Sequence, residues 1–172
     1  VALLRIKQDE IILPYYRIAF FTHVYTSMFV LLAGFSQFSS FIRYKFSRLH
    51  RIIGKLYISI ILLLSGPSGL IMAYHANGGI IAKTAFCTLA ILWILFTYKA
   101  YTSIRKRDVV SHKNWMYRSY ALTLSAVTLR FWKWVIVFLF EPRPMDVYQI
   151  VAWLGWTVNL LIAELLILSK RN

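Results

Sequence analysis

Acidic residues are scarce in this chain: six Asp and Glu stand against twenty Lys and Arg in 172 residues. Only Glu164 falls inside an apolar stretch, so no pair of carboxylates is placed for hydrolysis. Cysteine is scarcer still. Cys87 stands alone, which excludes an internal disulfide and any Cys-x-x-Cys motif. A phosphate-cradling glycine loop, a nucleophile elbow and HExxH are all missing. These gaps disfavour a stand-alone hydrolase or an ATP-driven pump. No internal repeat, low-complexity segment or signal-peptide pattern is evident.

What the chain has in plenty is apolar surface: 59% of its residues are hydrophobic and the mean hydropathy is +0.62. Soluble domains do not reach that value. The net charge of +14 suggests nucleic acid at first sight. The lysines and arginines, however, sit in blocks between apolar runs, as membrane topology requires, and not along one soluble face. No nucleic-acid partner is expected.

The stretch Arg48–His75 organises the rest. It has a basic cluster at one end, no charge from Tyr57 to Ala73, and a histidine at each end of the segment His50–His75. From His50 to Ala73 a helix reaches about 35 Å, enough to cross a bilayer. Ser65-Gly66-Pro67-Ser68-Gly69 lies within it, and Pro67 is expected to kink the helix by removing a hydrogen bond. The same reasoning along the chain gives an outer lead-in at 1–14 and one all-α domain at 15–170. Five spans are expected in it, at about 15–38, 50–74, 80–101, 112–138 and 147–168. A further helix ahead of Val1 would make six.

Cation placement sets the orientation. Arg43, Lys45, Arg48, Arg51, Lys55, Lys99, Arg105, Lys106, Arg107, Lys113, Arg118, Lys170 and Arg171 fall on one side, thirteen in number. Arg5, Lys7, Arg17, Lys83 and Arg143 make five on the other. The richer side, with the C-terminus, is expected to be cytoplasmic.

Four histidines on a small helical bundle raise the chemistry of b-type haem, whose iron takes two imidazoles from facing helices. Both ligands must lie at one depth. His50 and His112 both open cytoplasmic helix ends, so they are the candidate iron ligands, with Arg51, Lys55, Lys113 and Arg118 near enough to hold acidic groups. The bland reading of the same two is interfacial contact with lipid phosphate. His23 lies roughly 10 Å inside the first span, level with Gly66–Gly69 and Arg130, and is the candidate for a second cofactor site. His75 reads as a turn residue. Arg130, with Lys133 among aromatic residues, either snorkels or anchors an anionic ligand near His23. Arg118 and Glu164 share a depth, and a buried ion pair is the economical reading. Proton handling by Glu164 is the sharper one.

Several stretches resemble a family of bacterial predicted membrane proteins, domain of unknown function 2306. They are His23 with Gly34-Phe35-Ser36-Gln37-Phe38, Leu49-His50-Arg51 with Gly54-Lys55-Leu56-Tyr57, and Ser65-Gly66 with Gly69-Leu70. Arg107-Asp108, His112-Lys113-Asn114-Trp115-Met116, Asn159 and Glu164 fit as well. The run from Arg118-Ser119-Tyr120-Ala121-Leu122-Thr123 to Ala126-Val127-Thr128-Leu129-Arg130 is the most specific. The resemblance spans about Phe21 to Ile167 and implies a multi-pass fold in the bacterial inner membrane, without an activity. Leu49-His50-Arg51 is also similar, more loosely, to haem-bearing helices of b-type cytochromes.

The leading expectation is thus a membrane electron-transfer module or subunit holding haem b through His50 and His112, with other membrane subunits as partners. The alternatives are a non-catalytic accessory subunit that binds lipid or partner helices, and a small proton-coupled carrier using His23, Arg130 and Glu164.

Overall fold

The computed structural model describes residues 8–170, and every described element is helical. Arg5 and Lys7 of the lead-in, and Arg171, lie outside those residues. A short helix α1, Gln8–Ile11, precedes α2, Pro14–Phe38, which starts on its proline. Ser39 then caps α3, Ser40–Lys45, by accepting from the Ile42 N–H at 3.3 Å. That segment reads as a loop in sequence because its apolar residues are too few for a span. α4, Ser47–Ile60, passes through a π-helical turn, Ile61–Ser65, into α5, Gly66–Tyr74. The remaining elements are α6, Gly79–Arg105; α7, Val109–Thr123; α8, Ser125–Phe140; and α9, Pro144–Ser169.

Four of these units are each long and apolar enough to cross a membrane: α2, Ser47–Tyr74, α6 and α9. A fifth crossing is available from α7 and α8 together, which are bent by 44°. The fold is an all-α bundle. Its helices run alternately up and down, so contacts sort into two ends. Lys170 meets Tyr117 and His112 meets Ala100 at the basic end, while Tyr15 meets His75 and Gln149 meets the Gly78 carbonyl at the other.

The expected kink at Pro67 is replaced by something gentler. Chain continuity from Ser47 to Tyr74 is kept because the π turn precedes the proline, with the Gly66 N–H reaching five residues back to the Ile61 carbonyl. An extra residue in the turn relieves the clash and the lost donor that proline imposes. The sharp bend falls at Leu124 instead, where the uninterrupted pattern gives a single straight stretch. There Asn159 of α9 donates its side-chain amide to the Ala121 carbonyl at 3.1 Å and to Thr128 Oγ1 at 2.9 Å. The Thr123 hydroxyl also donates back to the Ser119 carbonyl at 3.1 Å, and the Thr128 hydroxyl donates across to the Gly155 carbonyl of α9 at 2.5 Å. Side chains inserted into a helix's own ladder bend it.

Packing follows small residues. α2 lies on α4 and α5, these on α6, and α6 on α7, while α9 packs on α6, α7 and α8. At Gly34 on α2 the Tyr120 ring comes so close that an added Cβ would sit 2.0 Å from its Cε2. Tyr120 cannot swing away freely, since its hydroxyl donates to the Leu31 carbonyl at 3.2 Å and its ring packs on Phe35 and Phe38. Gly34→Ala should therefore destabilise the bundle by about 1–3 kcal/mol, seen as a lower thermal midpoint in detergent. An unchanged midpoint would show that the ring yields.

Asp108 caps α7, accepting from the Ser111 N–H at 2.9 Å. Hydrogen bonds from the Ser111 side chain and N–H hold its carboxyl below the ordinary carboxylate range. A carboxyl with a lowered folded-state pKa stabilises at neutral pH, and that contribution is lost as pH falls through the folded value. Asp108→Asn keeps a capping oxygen and should flatten the acid limb of a melting-temperature profile. An acid limb identical to the parent's would refute the assignment.

Candidate functional site

At the basic end, α4 and α7 each begin with a turn that carries a histidine. His50 lies in the first turn of α4 and its N–H donates to the Phe46 carbonyl at 3.0 Å. His112 occupies the first turn of α7, its N–H donating to the Asp108 carbonyl at 3.1 Å. The two lie within electrostatic reach of each other and of Arg43. His112 Nδ1 is 2.8 Å from the Ala100 carbonyl near the end of α6. A carbonyl only accepts, so the proton is on Nδ1 and the lone pair on Nε2. His50 Nδ1 is buried and has no hydrogen-bond partner. Arg51, Lys55 and Lys113 are exposed at that end.

Arg118 is placed differently from the cations beside it. It grips Glu164 of α9 with two bonds, Nε to Oε1 at 2.5 Å and Nη2 to Oε2 at 2.7 Å. Its guanidinium also lies 4.5 Å over the Trp115 ring, as does the Lys99 ammonium. The side chains are 20% and 39% exposed, so the pair borders the core without being sealed in it. With both carboxylate oxygens engaged, Arg118 is committed to Glu164 and withdrawn from the cations available to an acidic ligand.

His23 stands deeper, on α2. Its Nδ1–H donates to the Ser65 carbonyl at 2.8 Å, at the last residue of the π turn. The ring lies flush with Gly69, where an added Cβ would sit 2.8 Å from Cε1, and it meets Trp93 edge-on at 6.4 Å. Thr26 and Ser65 hydroxyls, 2.6 Å apart, complete the junction. Arg130 is not brought to this group. It is exposed on α8, which packs on α7 and α9, and it donates to the carbonyl of Ala126 on its own helix. The bend at Leu124 accounts for the separation, because it carries α8 away from the line of α7. His75 accepts or donates at Tyr15 Oη, 3.1 Å away, amid the rings of Tyr15, Tyr16 and Tyr74.

Sequence reasoning misses the buried network between these levels. Tyr57 of α4, Trp93 and Thr97 of α6, and Ser119 and Thr123 of α7 are all buried. Each hydroxyl has one proton, which orders the chain. Thr97 donates to the Trp93 carbonyl at 2.7 Å, so Ser119 donates to Thr97 at 2.7 Å. Thr123 donates to the Ser119 carbonyl, leaving its oxygen to accept from Trp93 Nε1 and from Tyr57, each at 3.0 Å. The available signal is the spacing of four that puts Trp93 with Thr97, and Ser119 with Thr123, on one helix face. Among the described residues no group of three or more His, Cys, Asp and Glu is gathered that could hold a metal ion.

Two clefts mark the surface. One, of about 370 Å³, lies at the far end beside Tyr15, Tyr74 and His75. The other, of about 320 Å³, runs between α2, α7 and α9. Neither is lined by His50 or His112.

The Arg118–Glu164 geometry gives a test of how much the pair contributes. Glu164→Leu strands a guanidinium near the core and should lower stability by about 1–3 kcal/mol, less than for a sealed pair because both groups are partly exposed. Adding Arg118→Leu should restore part of that loss in a double-mutant melting series. Strictly additive losses would show that the two groups do not act as a unit.

No curated protein and no solved structure matches this chain. A family model described as "Predicted membrane protein (DUF2306)" matches residues 20–167, from within α2 to near the end of α9. Nearly the whole bundle, with the histidines, the Arg118–Glu164 pair and the bend, falls inside that match, and the chain belongs to this family of predicted membrane proteins.

Proposed function

We propose that this integral membrane protein is an electron-transfer module that holds b-type haem between His50 and His112. The observation that carries the reading is the state of the two rings. They come from separate helices within electrostatic reach of each other, one with its Nδ1 proton fixed on a carbonyl so that Nε2 carries the lone pair, the other with a buried ring nitrogen lacking any partner. Orientation of an imidazole by a backbone carbonyl is the usual second layer of support for a metal ligand. An orphaned buried ring nitrogen is a cost that a ligand would remove.

The group would supply one-electron chemistry, and the chain's own residues would hold it. The Ala100 carbonyl keeps the His112 ring in one tautomer. Arg51, Lys55 and Lys113 offer cations to its acidic substituents at the bilayer surface, and Arg118 stays with Glu164. Membership of the bacterial inner membrane, with the basic end and C-terminus cytoplasmic, rests on the thirteen-to-five division of cations.

A second reading, an accessory subunit for partner helices, is favoured by one observation. Of the sixteen residues of α8 only Ser125 is buried, and Phe131, Trp134 and Phe138 stand exposed along it. The carrier reading is weakened by the engagement of both Glu164 oxygens.

Reduced-minus-oxidised absorbance of the purified full chain decides among these. The α-band of a six-coordinate b-type haem is expected, lost in His50→Ala and in His112→Ala and kept in His23→Ala. Purified protein without that band, from cells supplied with a haem precursor, would overturn the proposal and leave the accessory reading.

A further inference from the structure

The cleft between α2, α7 and α9 has a shape and a charge that nothing above uses. Tyr117 on α7 and Leu124 at the bend after it bound one side, Asn159 and Leu166 bound it on α9, and Phe35 and Phe38 on α2. On α9 the bounding residues are seven apart, so the cleft runs along that helix for about 10 Å. The cleft's lining is mostly apolar and its volume of about 320 Å³ opens to the bilayer, so a hydrocarbon chain can lie along it.

Its mouth is at the basic end. Lys170 donates to Tyr117 Oη at 2.6 Å and lies 4.4 Å over that ring, which is itself stacked on Phe38. The Lys170 ammonium keeps two further N–H donors, and the Tyr117 hydroxyl keeps its own proton. Three donors, two of them on a cation, therefore stand at headgroup depth above an apolar slot. Glu164, the carboxylate on that half of α9, is held by Arg118 and does not neutralise Lys170. Basic pockets between spans recognise anionic lipid headgroups in this way.

We propose that this slot is a binding site for an anionic glycerophospholipid. One acyl chain fills the apolar groove, and the phosphate accepts from Lys170 and Tyr117. The inference is independent of the histidine pair.

The test is native mass spectrometry of the full chain released from detergent with phosphatidylglycerol or with phosphatidylcholine of the same acyl chains. The parent should retain one phosphatidylglycerol in preference to phosphatidylcholine. Lys170→Gln should weaken phosphatidylglycerol retention about fivefold, the loss expected for one cation near the surface, with little effect on phosphatidylcholine. Ile162→Trp, at an exposed position on the slot's rim, should reduce both lipids without disturbing the packed faces. Equal retention of the two lipids by the parent, full retention by Ile162→Trp, or a co-purified quinone in the phospholipid's place would each overturn the proposal.

Discussion

Apolar side chains gain little by leaving lipid for one another, so a bundle in a bilayer is held by close approach and by polar groups shared between helices. The hydroxyl and indole network of Tyr57, Trp93, Thr97, Ser119 and Thr123 answers that constraint here. It joins α4, α6 and α7 through buried hydrogen bonds, each of order 0.5–2 kcal/mol in such settings. Every member is satisfied, which matters more than the sum, because one unpaired hydroxyl in hydrocarbon would cost as much as several bonds return. Around this centre the large apolar side chains can point outward. Leu63, Leu161 and Phe138 are exposed, as lipid-facing residues should be.

The same constraint shapes the candidate site. Two histidines, His23 and His112, donate from Nδ1 to carbonyls of neighbouring helices, at Ser65 and Ala100. Each bond fixes a tautomer, pins a ring and joins two spans. The π turn opens the Ser65 carbonyl to an outside donor, while the Ala100 carbonyl accepts the histidine from within α6. Cations are sorted by the same physics. Arg118 lies partly within the bundle and takes a bidentate carboxylate with it, whereas Arg51, Lys55 and Lys113 stay where water and headgroups reach them.

Membership of the family of predicted membrane proteins agrees with this architecture and adds no activity of its own. The functional reading therefore rests on the basic end, which holds an oriented ring and an orphaned ring nitrogen, and on the apolar slot nearby. These are distinct features on different faces of α7. His112 turns toward α6, while Tyr117 and Tyr120 turn toward α2 and α9.

Sequence alone determined the all-α class and marked the four or five apolar stretches fit to cross a membrane, because bilayer thickness and backbone satisfaction allow so few other answers. It also determined that His50 and His112 open helices at the same end, since depth follows from residue count. Tertiary structure decided what depth cannot. Which way α8 leaves α7 depends on an Asn159 amide from a helix thirty-odd residues away, and that bend separates Arg130 from His23. Whether Pro67 breaks its helix depends on a π turn whose bonding is set by neighbours. Rotation about a helix axis, unlike position along it, is fixed by packing partners that a linear pattern does not name.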